Sequence, residues 1–189
     1  MIRPARPGDA PAIARVHVTS WHETYPGLVP GREIVARTFK DRLALWTREL
    51  GTPSPGTAAF VSERDGAVFG FGLAGPQRTG ALRELRHTGE VWSLYVLRAA
   101  HGRGIGRALM DAMLGALADQ GHASAALWVV TANPAARFYE RLGGVRVMEG
   151  ADAPGGVAET AYAFRLDDRT GRLTTRPSPC RQTCGPGSL

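Results

Sequence analysis

The stretch GEVWSLYVLRAAHGRGIGRALMDAM, from Gly89 to Met113, changes character twice and settles how the rest of the chain is read. Its first part, Glu90 to Leu97, is rich in β-branched and aromatic residues and reads as a strand. The middle, His101 to Arg107, is a basic turn with glycine at 102, 104 and 106. The last part repeats Ile105, Ala108, Leu109, Ala112, Met113, Ala116 and Leu117 at helical spacing. A strand, a glycine turn and a helix start aim free backbone N–H groups and the positive end of the helix dipole at one point. Glycines let an anion approach the backbone closely, and Arg103 and Arg107 add fixed charge. The segment reads as a pyrophosphate cradle.

Upstream, Ile2 to Arg6 reads as a first strand closed by Pro7-Gly8, and Asp9 is placed to cap a helix with Pro11 in its first turn. Ala10, Ile13, Ala14, Val16, His17, Ser20 and Trp21 trace one face of that helix, to about His22. An aromatic and polar segment follows, Trp21 to Pro30, then a second helical region from about Arg32 to Leu50. Thr57 to Glu63 and Ala67 to Ala74 read as strands joined by an Arg64-Asp65-Gly66 turn. Gly75 to Thr88 is a polar connection without a clear pattern. Downstream, the apolar run Ser124 to Thr131 suits a strand buried on both faces. A short helix starts at Asn133-Pro134 and ends at Gly143-Gly144. Strands at Val145 to Glu149 and Val157 to Leu166 close the domain. The order β-α-α-β-β-β-α-β-α-β-β predicts an α/β (α+β mixed) fold, a mixed sheet with helices on both faces. From Asp167 onward, Pro, Gly, Ser, Thr and Arg dominate, so 1–166 is expected to be the domain and 167–189 a disordered basic tail.

The 189 residues are 43% hydrophobic and 21% charged, which suits a soluble globular chain. The net charge of +6 raises the question of nucleic acid. Nearly all of the cationic residues are arginine, Lys40 being the sole lysine, and no dense basic run occurs. Much of the excess lies in the tail, so solvated surface is the reading and no nucleic-acid partner is expected. Cys180 and Cys184 also lie there, which leaves the core without a thiol and suits a reducing compartment. The N-terminus lacks an apolar leader and no run reaches membrane-spanning length, so the cytoplasm is expected and no membrane partner.

Leu94-Tyr95-Val96 followed by His101-Gly-Arg-Gly-Ile-Gly106 and Arg107-Ala-Leu resembles the acetyl-CoA motif of the GNAT N-acetyltransferase superfamily. Asn133-Pro-Ala-Ala-Arg-Phe-Tyr-Glu-Arg-Leu-Gly143 resembles its second signature. Val16 to Trp21 and Tyr25-Pro-Gly-Leu28 resemble one common bacterial branch. The resemblance covers about residues 1–166. Against the family pattern, His101 stands where Gln or Arg is usual, and Gly144 where an aromatic is common.

The resemblance implies a GNAT-like fold, with a mostly antiparallel central sheet of about six or seven strands. It implies acetyl-CoA as co-substrate, held by Leu94, Tyr95 and Val96 along the strand and by His101, Gly102, Arg103, Gly104, Ile105, Gly106 and Arg107 at the turn. Asn133 is expected either to touch CoA or to cap its helix. Tyr139 matches the family's general acid, which protonates the departing thiolate. An acidic residue at the position of Glu90 often acts as base there, with a surface carboxylate or an anchor for the substrate ammonium as rivals. Absent a bulge, strand period would put Glu90, Trp92, Leu94 and Val96 on one face. Trp21, His22, Glu23 and Tyr25 occupy the segment that lines the family's acceptor pocket, and Trp92 is expected to join them. An aromatic wall with a carboxylate suits a cationic amine.

Other chemistries fit less well. A dinucleotide fingerprint needs glycine where Arg107 stands, no phosphate-loop lysine follows the glycines, and no G-x-S-x-G elbow exists. His17 and His22 do not share a helix face, His87 stands alone, and no metal is expected. Two classes remain: an N-acetyltransferase acting on a small amine, an aminoglycoside-like compound or a peptide or protein amine, and a non-catalytic acyl-CoA-binding or interaction module. A homodimer is left open.

Overall fold

The computed structural model describes residues 1–151 and 153–166; the tail and its two cysteines lie outside the described residues. Seven strands form one sheet in the order β1-β2-β3-β4-β5-β7-β6. They are β1 (Ile2–Pro4), β2 (Ala58–Arg64), β3 (Ala67–Pro76), β4 (Gly89–Val96), β5 (Ser124–Val130), β6 (Val145–Gly150) and β7 (Glu159–Arg165). Every pairing is antiparallel except β4 with β5.

Helices cover both faces. On one, α1 (Ala10–Thr24) and α3 (Phe39–Gly51) bury Ile13, Ala14 and Trp46 against Val61, Phe71 and Leu73 of the sheet. On the other, α5 (Ile105–Asp119) and α6 (Ala135–Arg141) pack Met110, Met113, Leu117 and Tyr139 onto Val91, Leu127 and Phe164. β5 feeds both sides: Ala125 and Leu127 face α5, while Ala126 packs with Leu82 of α4 (Gly80–Glu84).

Four local expectations change. The region from Arg32 to Leu50 is two helices, α2 (Gly31–Val35) and α3, because the Thr38 hydroxyl accepts from the Asp41 N–H and starts α3 afresh. Asp9 does not cap α1; its carboxylate accepts from the Arg6 N–H at 2.7 Å and pairs with Arg3. The stretch from Gly75 to Thr88 contains α4. Finally, the β3–β4 register slips between Leu73 and Ala74: Ala74 faces Val91 and Leu73 faces Ser93, leaving Trp92 as the extra residue of a bulge. Val91 and Leu94 therefore share the α5 side, while Trp92 and Tyr95 share the α1 side.

The parallel pair places the site. β4 and β5 are in register only at Gly89 with Ala125 and Glu90 with Ala126. Past Glu90 the strands part, and the sheet opens along a seam in its middle.

Candidate active site

A cavity of about 730 Å³ fills that opening, lined from β4, β5, the end of α1, the start of α5, and α6. Beyond Glu90 the edge of β4 facing β5 has no ladder partner there, so its polar groups are available to a ligand. Leu94, Tyr95 and Val96 all line this wall.

The turn after β4 is shaped as an anion cradle. Gly102 and Gly104 have φ of +73° and +75°, a left-handed conformation that costs a Cβ-bearing residue about 1–2 kcal/mol. A Cβ at either would meet nothing within 4 Å, so this backbone faces open space. The first intrahelical bond of α5 runs from the Ala108 N–H to the Gly104 carbonyl, which leaves the amides of Ile105, Gly106 and Arg107 outside the helical ladder. Gly102, Gly104, Ile105, Gly106 and Arg107 line the cavity; Arg103 does not. His101 lines it too, but its Nε2–H donates to the Val96 carbonyl at 2.9 Å and its backbone N–H to the Arg98 carbonyl at 3.1 Å. Both donors expected to serve a phosphate are thus already committed within the turn.

Tyr139 comes from α6 on the other flank. The Asn133 side chain accepts from the Ala135 N–H at 2.9 Å, which caps α6, and Asn133 also lines the cavity. At the far end, the Gly144 N–H donates to the Tyr139 carbonyl and the Gly143 N–H to the Glu140 carbonyl, a Schellman closure with Gly143 at φ +89°. A Cβ on Gly144 would stand 2.8 Å from the Phe164 ring, so an aromatic cannot occupy this position here. The Tyr139 ring packs edge-on to Phe138 at 5.2 Å. Its hydroxyl makes no hydrogen bond among the described residues, and burial holds its pKa well above the ordinary phenol value, with Tyr25 adding to the effect.

Across the opening stands an aromatic and acidic wall. Trp21 stacks on Tyr25 at 3.9 Å, with the Arg37 guanidinium 4.0 Å over the Trp21 ring. Tyr25 and Tyr95 share a side-chain hydrogen bond, and burial raises the pKa of both. His17 stacks on Tyr95 at 4.9 Å and accepts from Trp46 Nε1–H at 3.1 Å. It belongs to this supporting layer rather than to the cavity wall, and burial with nearby Arg42 and Arg37 lowers its pKa to about 3. Trp21, Glu23, Tyr25 and Trp92 all line the cavity; His22 does not. Trp92 leans on the sheet, its Nε1–H donating to the Pro76 carbonyl.

Glu90 is not brought to the cavity. It is buried at 4% exposure, and its carboxylate accepts from the Arg78 backbone N–H at 2.8 Å and from the Arg78 guanidinium at 2.7 Å. That saturated pair ties α4's approach to the start of β4, and it leaves no oxygen directed at an amine. Sequence reasoning passed over Glu159, Trp128, Arg98 and Arg141, all of which line the cavity. Glu159 carried one signal, a carboxylate at the head of a strand whose middle, Ala161 to Phe164, is apolar and aromatic. Among the described residues no three His, Cys, Asp or Glu side chains gather as a metal site, and no helix is long and apolar enough to cross a membrane.

Comparison with known proteins agrees with this architecture. The profile of the acetyltransferase (GNAT) family matches residues 18–144. An uncharacterized N-acetyltransferase of Bacillus subtilis (strain 168), YuaI, is 32% identical over 150 residues, which cover 78% of this chain and 82% of the relative. Among solved structures, the PaiA N-acetyltransferase of Thermoplasma acidophilum in complex with coenzyme A superposes with a TM-score of 0.65 at 18% identity, over 85% of this chain and 96% of that one. YncA of Salmonella typhimurium, a putative acetyltransferase with its cofactor acetyl-CoA, gives 0.64 at 22% identity, over 95% and 98%. The likeness to these structures is one of fold.

Proposed function

Because the chain belongs to the acetyltransferase (GNAT) family, we propose that it transfers the acetyl group of acetyl-CoA directly to a primary amine of its acceptor. It is an N-acetyltransferase by family; the acceptor is a small amine, an aminoglycoside-like compound or a peptide or protein amine. The observation that carries this reading is the opening between β4 and β5, with an anion cradle on one side and an aromatic, acidic wall on the other. Two reactants entering from opposite sides meet there, so proximity does much of the work and no covalent enzyme intermediate is needed.

The residues divide the labour. Amides of the turn from Gly102 to Arg107 and the dipole of α5 take the pyrophosphate, with Arg107 adding charge. The unpaired edge of β4 along Leu94, Tyr95 and Val96 holds the pantetheine arm, and an amide there steadies the oxyanion of the tetrahedral state. Asn133 supports this side chiefly by capping the helix that carries Tyr139. The Tyr139 hydroxyl, kept protonated by burial, gives its proton to sulfur as the C–S bond breaks. Trp21 and Tyr25 receive the acceptor's carbon frame, while Glu23 braces the lip of the pocket. The bacterial relative and the thiol-free core fit an enzyme of the bacterial cytoplasm.

The test is free-thiol release from acetyl-CoA across a panel of polyamines, aminoglycosides, amino acids and short peptides. Saturable release with a matching acetylated product is expected from at least one class. CoA binding without release on any amine would refute the reading.

A further inference from the structure

Three indoles line the cavity, those of Trp21, Trp92 and Trp128, and their faces are not equally free. The Arg37 guanidinium stands 4.0 Å over the Trp21 ring, which also stacks on Tyr25. Trp92 carries the Arg78 guanidinium at 4.5 Å, and a Cβ on Gly75 would lie 2.6 Å from its ring. Both indoles are thus covered by the protein itself. Over Trp128 neither a cation nor a second ring is stacked among the described residues.

The fold builds a seat for this third indole. Leu127 and Val129 face α5, so Trp128 shares the opposite side of β5 with Ala126 and Val130. Val130 packs in one cluster with Tyr25, which puts Trp128 on the side of the aromatic wall. Its partner across the ladder is Ala161 of β7, a methyl group where a larger side chain would lift the indole. Beyond β7, a Cβ on Gly150 of β6 would stand 3.1 Å from the ring, so the indole reaches two strands away. The Trp128 Nε1–H donates to the Thr79 hydroxyl at 3.2 Å, just ahead of α4. With its one polar group committed, the half-buried side chain offers the cavity an apolar aromatic surface.

The carboxylates around this space point the same way. Glu23 Oε2 accepts from the Arg98 N–H at 2.8 Å, Glu33 pairs with Arg37, and Glu90 pairs with Arg78. Glu159 is engaged as well. An acceptor with a second or third ammonium would have to break into one of these pairings, whereas a ring meets an uncovered indole.

We propose that Trp128 sets acceptor specificity and that the acceptor is an arylalkylamine, one primary amine joined to an aromatic ring by a short alkyl chain. The proposal rests on the acetyl-transfer reading above and narrows it. The acceptor's ring stacks on Trp128 while its amine reaches the parting of β4 and β5. Stacking of two rings is worth up to about tenfold in an equilibrium beyond the area it buries.

The experiment uses the full-length chain and a matched pair of amines, phenylethylamine and butylamine, with spermidine and an aminoglycoside as polycations. It compares the wild type with Trp128→Ala, Trp128→Phe and Thr79→Val, reading kcat/KM for each amine and CoA affinity by calorimetry. The wild type should favour phenylethylamine over butylamine by about tenfold or more. Trp128→Ala should erase most of that preference and Trp128→Phe should keep part of it. Thr79→Val unties the indole from a residue outside the cavity lining, and it should weaken the preference with CoA affinity held. If Trp128→Ala does not fold, the other two variants carry the test. A preference that survives in the variants overturns the proposal, since Trp128 would then only support the fold. Turnover of spermidine or the aminoglycoside without turnover of phenylethylamine also overturns it and leaves the transfer reading standing. CoA binding with no release on any amine overturns the transfer reading and this proposal with it.

Discussion

Tyr139 reaches the cavity from α6, and its hydroxyl has no hydrogen-bond partner among the described residues. Replacing it with phenylalanine keeps the ring packing against Phe138 and removes only the proton. Tyr139→Phe should lower kcat by roughly 10²-fold or more with little change in the acetyl-CoA KM, read by steady-state thiol release. Glu90 invites the opposite result. Glu90→Gln weakens a buried ion pair and should cost about 1–3 kcal/mol in urea unfolding, while the pH–rate profile stays in place. His17 gives a pH signature. Its folded pKa of about 3 lies below the ordinary 6.5, so the unfolded chain binds the extra proton between those values. Stability is therefore full above pH 6.5 and falls as pH drops toward 3, by up to ~1.4 kcal/mol per pH unit. Asp9, whose pKa is lowered by its Arg3 partner, adds its own loss only below the ordinary aspartate value of 3.8. His17→Gln should flatten the upper part of that fall in urea midpoints measured against pH.

At the level of elements, the turn and helix from His101 onward were legible because glycine spacing and helical periodicity are local signals. The same holds for α6, whose start and stop are written in Asn133-Pro134 and Gly143-Gly144. What stayed hidden depended on neighbours. The bulge at Trp92 arises where β4 meets β3, and it moves Trp92 off the face of Leu94 and Val96. The helix at Gly80–Glu84 is too short to show a period, and it is held by burying Leu82 against β5 and β7. Glu90 read as a site residue because position alone was visible, whereas Arg78, its partner, lies in a stretch without pattern. Gly104 offers a test at this scale. Gly104→Ala forces a Cβ into the left-handed region at the mouth of the cradle and should raise the CoA dissociation constant about tenfold, near 1.4 kcal/mol, by calorimetry. Unchanged affinity would show that the cradle does not hold the pyrophosphate.

For the molecule as a whole, one topological fact organises function: two neighbouring strands pair for two residues and then separate. An ordinary parallel pair would have closed the sheet and left the start of α5 facing a wall. No sequence signal announces this parting, since β4 and β5 each look like good strands, and only the assembled order places them side by side. The parting lets the glycine turn before α5 and the aromatic wall line one space from opposite faces. The central claim is that both reactants occupy that space at once, and initial velocities measured over a grid of acetyl-CoA and amine concentrations test it most directly. Double-reciprocal lines that intersect, as a ternary complex requires, are the predicted result; parallel lines, the mark of an acetylated enzyme formed before the amine arrives, would contradict it.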